Sequence, residues 1–130
     1  MVWTFSASDA VSARRSRAEF VAALRSEGCT EAALHDAEVV FGELIGNVAR
    51  HAHGTVSVEL RFARDTAVLR VRDTGRGFAL KAHLPDAMSE YGRGMYLVHK
   101  FAKRVTIERH EGGTVISVTM PLGARGTGSA

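Results

Sequence analysis

An acid, an amide, a guanidinium and an imidazole follow one another at helical spacing in Glu43-Leu44-Ile45-Gly46-Asn47-Val48-Ala49-Arg50-His51-Ala52. Residues three and four apart share a helix face. Glu43 therefore neighbours Asn47, and Asn47 neighbours Arg50 and His51. Phe41, Leu44, Ile45 and Val48 lie on the other side and read as core. Periodicity leaves two readings open for the polar row: a solvated face or a site. Two glycine-bearing stretches add chemistry. In Asp73-Thr74-Gly75-Arg76-Gly77 a carboxylate ends a strand-like run, where it can accept a hydrogen bond from an amino group such as adenine N6. Its glycines let backbone approach a ligand closely. In Gly92-Arg93-Gly94-Met95 glycines open a helix-like run, where unsatisfied backbone N–H groups can meet phosphate. Taken alone, the first is also a plain turn and the second a weak signal. Neither a dinucleotide fingerprint nor a Walker loop is present, because the required third glycine and the Gly-Lys-Ser/Thr are missing. Gly113-Thr114, before an alternating run to Pro121, reads alone as a hairpin.

The elements that must carry these residues follow from pattern. Val2 to Ser6 favours strand. Ser8 or Asp9 can cap a helix running to about Glu27, which Gly28 ends. Thr30 caps a second helix, expected to run to about His53, with Gly54 as its stop. Residues 55–62 and 67–72 alternate apolar and polar around the turn at 63–66, as a hairpin does. Residues 79–91 read as a loop or short helix, 95–102 as a helix, and 104–110 and 114–120 as two further strands. The order predicts an α+β fold in which helices cover one face of a mixed, largely antiparallel sheet.

Composition sets limits. The 130 residues are 45% hydrophobic and 24% charged, which suits one compact domain over 1–122 with a disordered Gly/Ser-rich tail at 123–130. The net charge of +3 is spread along the chain, so no nucleic-acid patch is expected. Arg14-Arg15-Ser16-Arg17 is the one dense basic cluster and reads as a solvated helix face, with a docking surface for an acidic partner as the alternative. A single cysteine, Cys29, no membrane-length apolar run and no signal peptide point to the cytoplasm.

Together the four stretches resemble the GHKL ATPase/kinase superfamily, whose domain is a two-layer α/β sandwich known as the Bergerat or histidine-kinase-like ATPase fold. Glu43-x-x-x-Asn47 resembles its N box, Asp73-x-Gly75-x-Gly77 its G1 box, Gly92-x-Gly94 its G2 box and Gly113-Thr114 its last box. Tyr96 stands where histidine kinases usually keep a further glycine. The form Glu43-Leu44-x-x-Asn47-x-x-x-His51-Ala52, with a short lid over Phe78 to Tyr91, is most similar to the anti-sigma-factor serine/threonine kinases of the RsbW/SpoIIAB type.

This resemblance implies ATP and Mg²⁺ as cofactors. Asn47 would ligate the metal, Asp73 would read adenine, and Gly75 and Gly77 would shape its pocket. Gly92, Arg93, Gly94 and Met95 would offer backbone to the phosphates, Arg50 would face them as a cation, and Thr114 would lie under the adenine. Glu43 would be the general base, and His51 is left as structural. The implied activity is phosphorylation of a serine on an anti-anti-sigma (STAS-domain) partner, together with sequestration of a sigma factor, by a homodimer. The rivals are a nucleotide-dependent binding switch without kinase activity and a kinase of another partner-switching pathway.

Overall fold

The computed structural model describes residues 1–51, 54–73, 92–110 and 113–123, with the main chain alone at 48–51, 92–94 and 109–110. The elements run β1 (Val2–Ser6), α1 (Ala10–Ser26), α2 (Glu31–His51), β2 (Thr55–Phe62), β3 (Thr66–Asp73), α3 (Gly92–Phe101), β4 (Arg104–His110) and β5 (Gly113–Pro121). The expected lid, Gly75, Gly77 and the tail beyond Gly123 lie outside the described residues.

Local chemistry sets the helix ends. Asp9 caps α1 by accepting from the Ser12 backbone N–H at 3.0 Å and from its hydroxyl at 2.7 Å. These two bonds hold the Asp9 carboxyl below the usual carboxylate range. Gly28 ends the helix with φ of 80°. Thr30 Oγ1 then accepts from Ala33 N at 3.2 Å and opens α2. That helix is described to His51, the last part of its expected run to about His53 lies outside the described residues, and Gly54 follows with φ of 89°. α3 begins at Gly92, three residues earlier than apolar spacing alone predicts. Glycine weakens a helix, but Met95 and Val98 are buried one turn on, and that packing outweighs local propensity.

The strands form one sheet in the order β1-β2-β3-β5-β4, and every described pairing is antiparallel. Alternation sends Val56, Val58 and Leu60 of β2, Ala67, Leu69 and Val71 of β3, and Ile116, Val118 and Met120 of β5 into the core. The helices cover that face. Phe20 of α1 stacks on Phe41 of α2 at 4.5 Å between ring centres, and Trp3 of β1 meets Phe41 edge-on at 6.5 Å. This is the layered α+β architecture expected above.

The end of β5 is pinned to the turn between the first two helices. Thr30 N donates to Leu122 O at 3.1 Å, and Gly123 follows with φ of 83°. A Cβ at Gly123 would lie 2.2 Å from Thr30 Oγ1, the group that caps α2. Gly123→Ala is therefore expected to lower stability by about 1–3 kcal/mol through backbone strain alone. An unchanged denaturant midpoint would show that this junction carries no strain.

Candidate functional site

Three of the four buried polar residues among those described are Asn47, Asp73 and Thr114, the first two singled out by type and spacing and Thr114 by the family resemblance. The fourth, Ser16, bonds within its own helix, its hydroxyl donating to Ala13 O at 2.8 Å. Asp73 is fully buried at the end of β3, the central strand. Its alternation partners Ala67, Leu69 and Val71 face the core, so the carboxylate caps an otherwise apolar strand face. Thr114 occupies the matching place at the start of β5, ahead of Ile116, Val118 and Met120.

Register joins the two. Asp73 pairs with Thr114 on one side and with Val56 on the other. Thr114 in turn pairs with Arg109 of β4. Directly opposed residues sit with Cβ atoms about 4.5–5.5 Å apart. A carboxylate and a hydroxyl separated by 41 positions in sequence are thus held as cross-strand neighbours at one end of the sheet. Val56, fully buried beside Asp73, is the site neighbour that the sequence reading assigned only to the core. Alternation marks it as inward-facing, but only the register puts it beside Asp73.

α2 reaches the same end. It is described to His51, and β2 opens four residues later beside the Asp73 row. Asn47 lies four residues before the helix end, about 6 Å along the axis. Asn47 does not sit on a polar face opposite the core, as the row Glu43–Asn47–Arg50–His51 suggested. At 3.6 residues per turn it falls within about 20° of Val40, on the buried stripe. Glu43, one turn back and about 40° further round, is half-buried. The polar row therefore leaves the core stripe obliquely, with its amide inside and its carboxylate at the rim. Arg50 and His51 continue the helix, their side chains outside the described set.

α3 ends at Phe101, shortly before β4 opens at the far end of the sheet, and it packs on α2 and β4. A ten-residue helix is about 15 Å long, so its first turn starts back toward the Asp73 end. Gly92, Arg93 and Gly94 form that first turn with Met95. The Met95 side chain is buried in the core, so its backbone alone is left for a ligand. Among the described residues no cluster of three His, Cys, Asp or Glu is present. The oxygen donors that α2 carries here are the Asn47 amide and the Glu43 carboxylate. Such hard donors fit Mg²⁺, which binds through one or two protein oxygens, keeps waters and bridges phosphates. The arrangement can thus offer a carboxylate to an amino group, helix N–H groups to phosphates, and an amide oxygen to a cation between them.

Comparison with known proteins agrees with this geometry. The family model described as "Histidine kinase-like ATPase domain" matches residues 5–120. The histidine kinase domain of the blue-light activated histidine kinase from Erythrobacter litoralis EL346 superposes with a TM-score of 0.54 at 22% identity, over 73% of this chain. This chain spans 47% of that domain's length. The Acinetobacter baumannii histidine kinase AdeS gives a TM-score of 0.55 at 10% identity, over 95% of this chain and 68% of its own. At such identities these two likenesses concern the fold alone. No curated protein matches the chain. With its sheet, its buried polar row and a family match across nearly its whole length, the chain belongs to the histidine kinase-like ATPase domain family.

Proposed function

We propose that the chain is an ATP- and Mg²⁺-dependent protein serine kinase of the anti-sigma type. It would phosphorylate a serine of a STAS-domain anti-anti-sigma partner and hold a sigma factor inactive. The observation that supports this reading is the burial of Asp73, Thr114 and Asn47 together with the pairing of Asp73 with Thr114 across β3 and β5. Family membership supports nucleotide binding and kinase-type chemistry in general. Serine as acceptor and the two protein partners rest on the resemblance of Glu43-Leu44-x-x-Asn47-x-x-x-His51-Ala52 to the anti-sigma kinases. The cytoplasm remains the expected compartment; no helix among the described residues is long and apolar enough to cross a membrane.

Each residue then has one task. Asp73 accepts from the adenine amino group, and Thr114 supports the same ring from the adjacent strand. Gly75 and Gly77 would shape the adenine pocket, as the resemblance implies. The first turn of α3, Gly92 to Met95, presents backbone N–H groups to phosphate, with Arg93 and Arg50 adding positive charge. Asn47 would hold Mg²⁺, which would supply neutralising charge at the phosphates. Glu43, at the rim where an outside hydroxyl can reach it, takes the proton from the incoming serine. The serine oxygen bonds to the γ-phosphorus while the bond from that phosphorus to the departing ADP oxygen breaks. Such transfers need chiefly positioning and charge neutralisation, so one base and one metal ligand suffice.

The other reading, a nucleotide-dependent switch without transfer, is set against this by Glu43 itself. A switch needs Asn47 and the glycines but no carboxylate at the rim.

Two substitutions separate these roles. Asn47→Ala should weaken ATP binding roughly tenfold or more in Mg²⁺, about 1.4 kcal/mol, and change it little in EDTA. Equal calorimetric affinity with and without the amide in Mg²⁺ would remove Asn47 from the metal site. Glu43→Gln should keep ATP affinity and slow serine phosphorylation of the STAS protein by about 10²–10⁴-fold. Transfer at the wild-type rate would remove Glu43 from the chemistry, and absence of transfer by wild type would favour the switch.

A further inference from the structure

The helices cover one face of the sheet and leave the other open. Residues that alternate with the core positions point to that open face: Ser57 and Glu59 of β2, Arg70 and Arg72 of β3, and Val115 of β5. With Val2 of β1 they line a concave site of about 300 Å³. Register brings them together. Glu59 pairs with Val2 on one side and Arg70 on the other, while Arg72 pairs with Ser57 and Val115. A site of this volume is at the low end for ligand pockets and takes side chains rather than a whole helix.

Its charge is unbalanced. Glu59 is the one carboxylate in the lining, and two arginines share it. Arg61 Nε donates to it at 2.8 Å, whereas Arg70 Nη1 stands 3.6 Å away, beyond hydrogen-bond length. Arg72 is exposed and has no hydrogen-bond or ion-pair partner among the described residues. Of two guanidinium groups on alternate residues of one strand, one is thus loosely paired and the other free. Beside them the surface is apolar. Val115 is 2% exposed yet lies outside the hydrophobic core cluster. It is closed off between its register neighbours Arg72 and Glu108, whose aliphatic stems flank it. Val2, at the rim, is 62% exposed.

We propose that this open face docks an extended acidic segment of a protein partner, with carboxylates at alternate positions. Alternate residues of an extended chain lie about 7 Å apart on one face, the repeat that also separates Arg70 from Arg72. Each guanidinium then takes one carboxylate through two parallel N–H···O bonds, and an apolar side chain of the segment rests on Val2. Arg70 gives up only its long contact, and Glu59 keeps the short bond from Arg61. A nucleic acid would meet the same arginines, but no lining residue is aromatic for a base to stack on, and a run of phosphates needs a longer basic track. The docked segment lies on the opposite side of the sheet from Asp73 and Thr114, the chain neighbours of Arg72 and Val115. Partner and nucleotide therefore do not compete for space. This inference does not depend on the kinase reading.

Amide-shift titration of the full chain with a capped peptide alternating glutamate and valine tests it. Saturable shifts are expected at Ser57, Arg70, Arg72 and Val115, and are lost when glutamine replaces glutamate in the peptide. Arg72→Glu and Arg15→Glu change the net charge equally, and both residues are exposed. Arg72→Glu should weaken peptide binding about tenfold or more, while Arg15→Glu, on α1, leaves it within about twofold. If Arg72→Glu fails to fold, Arg72→Gln decides, with an expected loss of about threefold or more. Equal losses in the Arg72 and Arg15 variants would show general charge attraction and overturn the proposal. So would equal binding of the glutamine peptide, tighter binding of an oligothymidylate at the same residues, or no saturable shift.

Discussion

The fold depends on polar groups set into the end of an apolar core. Removing a carboxylate from water costs several kcal/mol unless hydrogen bonds replace the lost hydration. Asp73 nevertheless ends the most central strand fully buried, beside a buried threonine, and Asn47 of α2 is buried as well. Sheet packing alone would favour apolar side chains at all three places, as it does along the rest of the same faces. Polar residues gathered at one end mark that end as the candidate nucleotide site, and the remaining core fixes their spacing.

The strand order makes that gathering possible. β3 lies between β2, which follows α2 directly, and β5, the last strand. One row therefore crosses the sheet from Val56 through Asp73 and Thr114 to Arg109. The chain leaves this row after Asp73 and re-enters the described fold at Gly92, the first turn of α3. The work of the N-terminal α1 is structural, through Phe20 against Phe41 and the capped turn at Thr30.

Much of this was legible from residue types. Alternation marked β2 to β5, Asp9 and Thr30 marked helix starts, and Gly28 and Gly54 marked stops, because these signals are local. The cross-strand meeting of Asp73 with Thr114 was not readable by pattern. Register between distant strands is set by the whole sheet, and the family resemblance was needed to group the two. The side of α2 that bears Asn47 was misjudged for a related reason. Counting polar neighbours put Asn47 with Arg50 and His51, whereas its angle to Val40 and Leu44 places it on the buried stripe. The early start of α3 was hidden by its glycines, whose helix penalty is offset by burial of Met95 and Val98.

The central claim is that the end of the sheet marked by Asp73 receives a nucleotide. Amide chemical-shift mapping by NMR during titration with Mg²⁺-ADP tests it most directly. The account predicts large shifts at Asp73, Thr114, Asn47 and the first turn of α3, with α1 and the outer sheet residues Arg61, Val68 and Thr119 unmoved. Saturable binding whose shifts fall on those outer residues, or no shift at the Asp73–Thr114 pair, would contradict it.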